Sequence, residues 1–189
     1  MFLAVFFAAS FLPTLYGMKH DPALVRRRLA GGLIAEKETT QKIIMLFISI
    51  GFAGLLVVPV LDHRFGWSRA SFAAAIAGNV LIVVGFFITA LAFRANTFAS
   101  ATIEVTADQR VITTGPYALV RHPQYAGAFL YLFGIPLALG SYWGLLVFAG
   151  MTPFLLWRLC DEEKVLEKEL PGYVQYRRRV RSRLIPGIY

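Results

Sequence analysis

Long stretches without charge govern what this chain can fold into. Ile43–Leu61 and Ser71–Phe93 contain no Asp, Glu, Lys or Arg, and each approaches the ~20 residues a helix needs to cross a hydrocarbon core of roughly 30 Å. Asp62, His63 and Arg64 close the first of these runs, and Arg94 closes the second. Met1–Tyr16 is a third apolar stretch, ended by Lys19, His20 and Asp21; it lacks the basic n-region of a signal peptide, so a retained helix is expected. After a polar stretch from Ala95 to Pro123 come two shorter runs, Tyr125–Leu139 and Trp143–Leu159. Only Gly140, Ser141 and Tyr142 separate them, a joint that forces an antiparallel helical hairpin. With 57% hydrophobic and 16% charged residues, the chain is more apolar than soluble domains are. The expectation is an all-α polytopic membrane protein of about five transmembrane helices, the last two forming the hairpin. Residues 1–94 would make a three-helix membrane portion, and 95–189 the portion of the same domain that binds a cofactor and carries the chemistry.

The formal charge of +8 invites a nucleic-acid reading, but the basic residues flank apolar runs and do not form a face interleaved with exposed aromatics, so no nucleic-acid partner is expected. Cys160, alone of its kind, has neither a disulfide partner nor metal-site spacing, and no metal is expected. Lys and Arg are retained on the cytoplasmic side of membrane proteins. Lys19, Arg26, Arg27, Arg28, Lys37 and Lys42 follow the first helix, whereas only Arg64 and Arg69 follow the second. Arg94, Arg110 and Arg121 precede the hairpin, and a basic tail from Lys164 to Arg183 follows it. The N-terminus is expected outside and the C-terminus in the cytoplasm, with Trp67, Tyr142 and Trp143 anchoring the outer boundary. Within the spans, Gly127 and Gly134 share a face that admits a second backbone, and Asn79 is expected to hydrogen-bond across helices.

Polar residues gather at three places beyond the third span. Gly115-Pro116-Tyr117 reads as a turn. In Arg121-His122-Pro123-Gln124-Tyr125-Ala126-Gly127, Pro123 suits the first turn of a helix, whose free amides can receive anionic or polar groups. His122 and Tyr125, three apart, would share a face, or else form only a cap and an interfacial tyrosine. Arg158 and Glu162 are spaced i,i+4, which suits either a helix-end ion pair or a functional charge set against an apolar span. Tyr173 and Tyr176 belong to a helix over the site or act as interfacial anchors.

Together, Gly115-Pro116-Tyr117, Arg121 to Gly127, Glu162-Glu163 and Tyr173 to Val180 resemble the isoprenylcysteine carboxyl methyltransferase family of integral membrane enzymes, from about Gln109 to the C-terminus. The resemblance implies S-adenosyl-L-methionine as cofactor, with S-adenosyl-L-homocysteine as product, held on the cytoplasmic side. It implies a lipid-modified or lipid-like carboxylate acceptor drawn from the surrounding membrane lipids. By family pattern, Gln109, Arg110, Val111, Ile112, Tyr117, His122, Pro123, Gln124 and Tyr125 would line the cofactor, with Glu162, or Glu163 in its place. Arg158 would face the acceptor carboxylate, and Arg158 and Glu162 would be the catalytic pair. Phospholipid amine methyltransferases share the C-terminal signature, and NADPH-dependent sterol reductases end in a similar Arg-Leu-Ile-Pro arrangement; these two classes, and a non-catalytic scaffold, are the alternatives.

Overall fold

The computed structural model describes residues 1–31, 35–36 and 38–188; Lys37, which figures in the charge pattern, lies outside the described residues. Seven α-helices and one 3-10 turn make up the regular structure of the described residues: α1 Phe2–His20, α2 Pro22–Leu29, α3 Thr39–Phe65, α4 Phe72–Ala95, the 3-10 turn Gly115–Ala118, α5 Pro123–Ala138, α6 Trp143–Glu169 and α7 Tyr173–Arg179. Four of them, α1, α3, α4 and α6, are long and apolar enough to cross a membrane. Large apolar side chains such as Phe7, Phe11, Val57, Val60, Val80 and Phe87 are exposed along these helices. A hydrocarbon solvent tolerates such a surface and water does not. The chain is an integral membrane protein.

The paired closing helices are present but unequal. α5 has 16 residues, about 24 Å at ~1.5 Å per residue, as its short apolar run implies. α6 has 27 residues and overruns its expected end by ten, because Asp161 to Glu169 is rich in good helix formers once the apolar stretch stops. That overrun carries the acids out of the membrane-spanning part on a rigid helix. α2 is a further addition: Asp21 caps it by accepting from the Leu24 amide at 2.9 Å, and Pro22 opens its first turn.

α5 packs chiefly along α4, and α6 along α3. The α4–α5 seam rests on glycine from both sides. A Cβ built on Gly85 would lie 2.6 Å from the Gly127 carbonyl oxygen and 2.7 Å from the Tyr131 amide, and one on Gly134 would lie 2.6 Å from the Gly78 carbonyl oxygen. A methyl group at any of these positions must push two backbones apart, at a cost of about 1–3 kcal/mol. Asn79 departs from expectation: its Nδ2 donates to Ala75 O in its own helix at 2.7 Å. The span offers this local acceptor one turn away, while Asn79 Oδ1 stays buried without a hydrogen-bond partner among the described residues.

A clamp fixes the end of the bundle remote from the acidic cluster. Buried Asp62 accepts from the Ser68 amide and hydroxyl, both at 2.6 Å, and from the Ser141 hydroxyl at 2.5 Å. It thereby ties the end of α3 to the α3–α4 loop and to the α5–α6 joint. Trp67 and Trp143 meet edge-on at this same end, with ring centroids 5.9 Å apart.

Candidate functional site

At the opposite end, the start of α5 and the overrun of α6 enclose a cavity of about 570 Å3, within the range of small-molecule sites. His122 is the last residue before α5 and Pro123 its first, so the opening turn leaves amides without helical acceptors. Tyr125, one turn in, donates its hydroxyl to Glu162 Oε2 at 2.7 Å. The two helices therefore meet at the cavity wall through a phenol and a carboxylate.

Gln109, Arg110, Val111, Ile112, Tyr117, His122, Gln124, Tyr125, Arg158 and Glu162 all line the cavity. Pro123 and Glu163 do not. Pro123 is fully buried as the first residue of α5, where its ring fixes the backbone. Glu163 is turned the other way, one residue along the helix from Glu162. Its Oε1 accepts from Arg121 Nε at 2.7 Å and lies 3.1 Å from His122 Nε2, and its Oε2 accepts from Arg183 Nε at 2.9 Å. This register settles which acid faces the cavity.

The i,i+4 pairing of Arg158 with Glu162 does not form. Arg158 is buried, and its Nη2 donates to Glu36 Oε1 at 2.6 Å and to the Ala101 carbonyl at 2.7 Å. Its Nη1 donates to Gln41 Oε1 at 2.9 Å, and the amide of Gln41 donates in turn to Asp161 Oδ2 at 2.9 Å. A carboxylate brought from the segment before α3 outcompetes the neighbour on the same helix, because it reaches the guanidinium where water is excluded. Glu36 and Gln41 escaped the sequence reading. The signal available was Gln41 in the first turn of an otherwise apolar helix.

Tyr173 and Tyr176 are buried on α7 and both line the cavity, which excludes a role as interfacial anchors. Tyr176 donates its hydroxyl to the Tyr117 carbonyl at 2.7 Å, and Asn96 Nδ2 donates to the Tyr117 hydroxyl at 3.3 Å. Burial pushes the Tyr117 phenol up to about 12 from an ordinary 10.0, and raises Tyr173 and Tyr176 as well. The fold favours the protonated phenol, so this contribution is complete below pH ~10 and is lost as pH climbs through about 12. The tyrosinate absorbance of the native protein minus that of Tyr117→Phe should therefore rise near pH 12, and a rise near 10 would contradict the packing described.

Three polar atoms of wall residues, Gln124 Oε1, the Tyr173 hydroxyl and Arg121 Nη2, are buried without a hydrogen-bond partner among the described residues. Buried polar atoms left unpaired are costly, and their concentration in one cavity fits a polar ligand. The wall also draws on both halves of the chain, since Arg28, Met45, Ser49 and Thr89 line it. A second, mainly apolar cavity of about 790 Å3 lies between α1, α2 and α4, and Arg28, Thr89, Phe93 and Tyr131 line both. Among the described residues no group of acids, histidines and cysteines is arranged to hold a metal.

Fold and site thus define an integral membrane protein with a cavity that gathers several polar side chains at one end of its bundle and a more apolar cavity beside it. Residues 73–171 match the phospholipid methyltransferase family, and the chain belongs to it. Protein-S-isoprenylcysteine O-methyltransferase of Schizosaccharomyces pombe is 36% identical over 77 residues, 40% of this chain and 33% of that protein. The protein of the same name from Saccharomyces cerevisiae is 28% identical over 125 residues, 61% of this chain and 51% of the relative. The chain therefore spans about a third to a half of the length of these curated relatives.

Proposed function

We propose that the chain transfers a methyl group from S-adenosyl-L-methionine to the carboxylate of an isoprenylcysteine-like lipid at the membrane surface. The observation that carries this reading is the joining of a cavity with Glu162, Gln124, Tyr173 and Arg158 in its wall to a more apolar cavity through shared wall residues. The names of both relatives point the same way.

When bound, S-adenosyl-L-methionine supplies a methyl group activated by a sulfonium. Glu162, oriented by the Tyr125 hydroxyl, offers a carboxylate to its ammonium group. Gln124 Oε1 is a second acceptor in the same wall. The unpaired amides that open α5 suit its carboxylate, and Gln109 to Ile112 with Tyr117 complete the wall.

An acceptor carboxylate with a pKa near ~4 is ionised at neutral pH and needs no general base. Apolar surroundings would raise that value, and the guanidinium of Arg158 opposes the rise. Gln41 holds Arg158 by Nη1, and Glu36 with the Ala101 carbonyl by Nη2, leaving Nε–H and one Nη1–H uncommitted among the described bonds. α7 and the 3-10 turn exclude water from one side through Tyr117, Tyr173 and Tyr176. Orientation of the acceptor and this exclusion can together supply on the order of 7–11 kcal/mol. The acceptor's apolar chain would lie in the cavity between α1, α2 and α4. The positive-inside pattern supports a site on the cytoplasmic side.

The test is methyl transfer from labelled cofactor, in proteoliposomes, to a short prenylated cysteine with a free carboxylate, to its carboxamide, and to phosphatidylethanolamine. Labelling of the acid alone is expected. Labelling of phosphatidylethanolamine alone would move the assignment to amine methylation, the reading that the family's name favours.

A further inference from the structure

Among the charged side chains described in the two cavity walls, Arg28 alone belongs to both. It sits in the last turn of α2, four residues after buried Leu24 and on the same face, and is itself exposed. Its guanidinium lies 4.7 Å from the centre of the Phe93 ring, and its Nη1 donates to the Ser100 carbonyl at 2.5 Å. Among the described residues no carboxylate forms an ion pair with it.

The other cations at the cavity are placed differently. Arg158 is neutralised by Glu36, and Arg121 by Glu163. Arg110 is absent from the apolar wall, and Arg94 from the polar one. An amphiphile with its chain between α1, α2 and α4 and its head in the polar cavity must pass its first polar group beside Arg28. Arg28, Glu162 and Arg158 line the same cavity, so an anion held at Arg28 shares that cavity with the residues proposed for the reaction.

We propose that Arg28 is the residue that captures the acceptor's anionic group where the apolar and polar cavities join, and that it sets the preference for acidic amphiphiles. This rests on the function proposed above for the identity of the anion, a carboxylate, but the capture itself does not require turnover. A guanidinium suits the task because it stays charged beside apolar surfaces and presents a planar fork to an oxyanion, while its face rests on an aromatic ring.

The experiment measures binding of a fluorescent S-farnesylcysteine with a free carboxylate, and of its carboxamide, to the purified full chain in nanodiscs without cofactor. The intact protein is expected to prefer the acid. Arg28→Gln and Arg28→Ala should weaken the acid by at least about tenfold and leave the amide unchanged, as loss of a charge-assisted hydrogen bond requires. Arg28→Lys should recover part of the preference, and Arg26→Ala, which lines neither cavity, should behave as the intact protein does. In the transfer assay the KM for the acid should rise by the same factor while kcat moves less than about threefold. S-adenosylhomocysteine affinity, read by calorimetry, should stay as it was.

Equal weakening of acid and amide, a parallel fall in S-adenosylhomocysteine affinity, or no change at all would overturn the assignment; the first two would make Arg28 a brace for the Ser100 segment. A protein that binds acid and amide alike, but binds phosphatidylethanolamine in a manner lost with Arg28, would overturn the carboxylate reading of the function and keep Arg28 as the anion-capturing residue. If the phospholipid also binds equally with and without Arg28, the assignment falls.

Discussion

Replacing Arg158 by alanine is expected to lower methyl transfer by at least about a hundredfold, the scale seen when one fixed electrostatic partner of a reacting group is removed, while cofactor affinity stays within a few-fold. The surroundings of Arg158 make a second effect unavoidable. Glu36 is 4% exposed and relies on the guanidinium at 2.6 Å, so the substitution strands a buried carboxylate, which costs about 3–5 kcal/mol when one partner of such a pair is deleted. A loss of activity in Arg158→Ala alone would therefore be ambiguous between chemistry and unfolding. The double variant Glu36→Gln with Arg158→Ala separates them: the melting transition should recover much of its loss, and turnover should not. Arg158→Lys should fold and remain slow, since an ammonium keeps the charge but not the fork that bridges Gln41, Glu36 and Ala101. If calorimetric affinity for S-adenosylhomocysteine falls in step with single-turnover rate in the double variant, Arg158 acts on the cofactor and the assignment to the acceptor is wrong.

The parts of this molecule that sequence made visible are those encoded locally. α1, α3 and α4 follow from uncharged runs of crossing length, and the α5–α6 joint from three residues that leave no room for anything but a reversal. The faces of Gly127 and Gly134 were readable because helical periodicity alone fixes them, although which helix they meet was not. That His122, Gln124 and Tyr125 would face one cavity was readable for the same reason: they sit within one turn. What local pattern cannot encode is the choice among distant partners. Arg158 has a suitable acid four residues away and pairs instead with Glu36, 122 positions earlier. Glu162 and Glu163 are indistinguishable as letters, yet one residue of helical rotation sends the first to the cavity and the second to the chain's tail. The extension of α6 was hidden because a falling hydropathy marks the end of a span, not the end of a helix.

Glu163→Gln is expected to damage the protein more broadly than Glu162→Gln, although the two carboxylates are adjacent. Three nitrogen donors converge on Glu163, from Arg121, His122 and Arg183. Arg121 Nη1 also donates to the carbonyls of Val180, at 2.9 Å, and Arg181, at 2.5 Å. The amides of Arg121 and His122 donate to the carbonyls of Ser182 and Arg183 at 2.9 and 3.0 Å. The tail is thereby strapped to the start of α5, with the carboxylate of Glu163 as the only anion among the described ion pairs of this cluster. An amide in its place accepts on one atom only and brings hydrogens towards a guanidinium, so Arg121 remains buried without a counter-charge, at about 3–5 kcal/mol. The measurable consequences are a large fall in melting temperature and protease cleavage after Val180. Cofactor affinity and turnover should fall together, because His122 and Tyr173 lose the structure that holds them against the cavity. Glu162 accepts only from Tyr125 among the described bonds, so Glu162→Gln should melt nearly as the native protein does and lose at least about tenfold in cofactor affinity, the loss expected for a charge-assisted contact to an ammonium group. If Glu163→Gln keeps its tail protected, the strap is not what orders the start of α5. If instead Glu162→Gln binds cofactor normally, the acid facing the cavity does not meet the cofactor's ammonium, and the Tyr125–Glu162 pair serves only to join two helices.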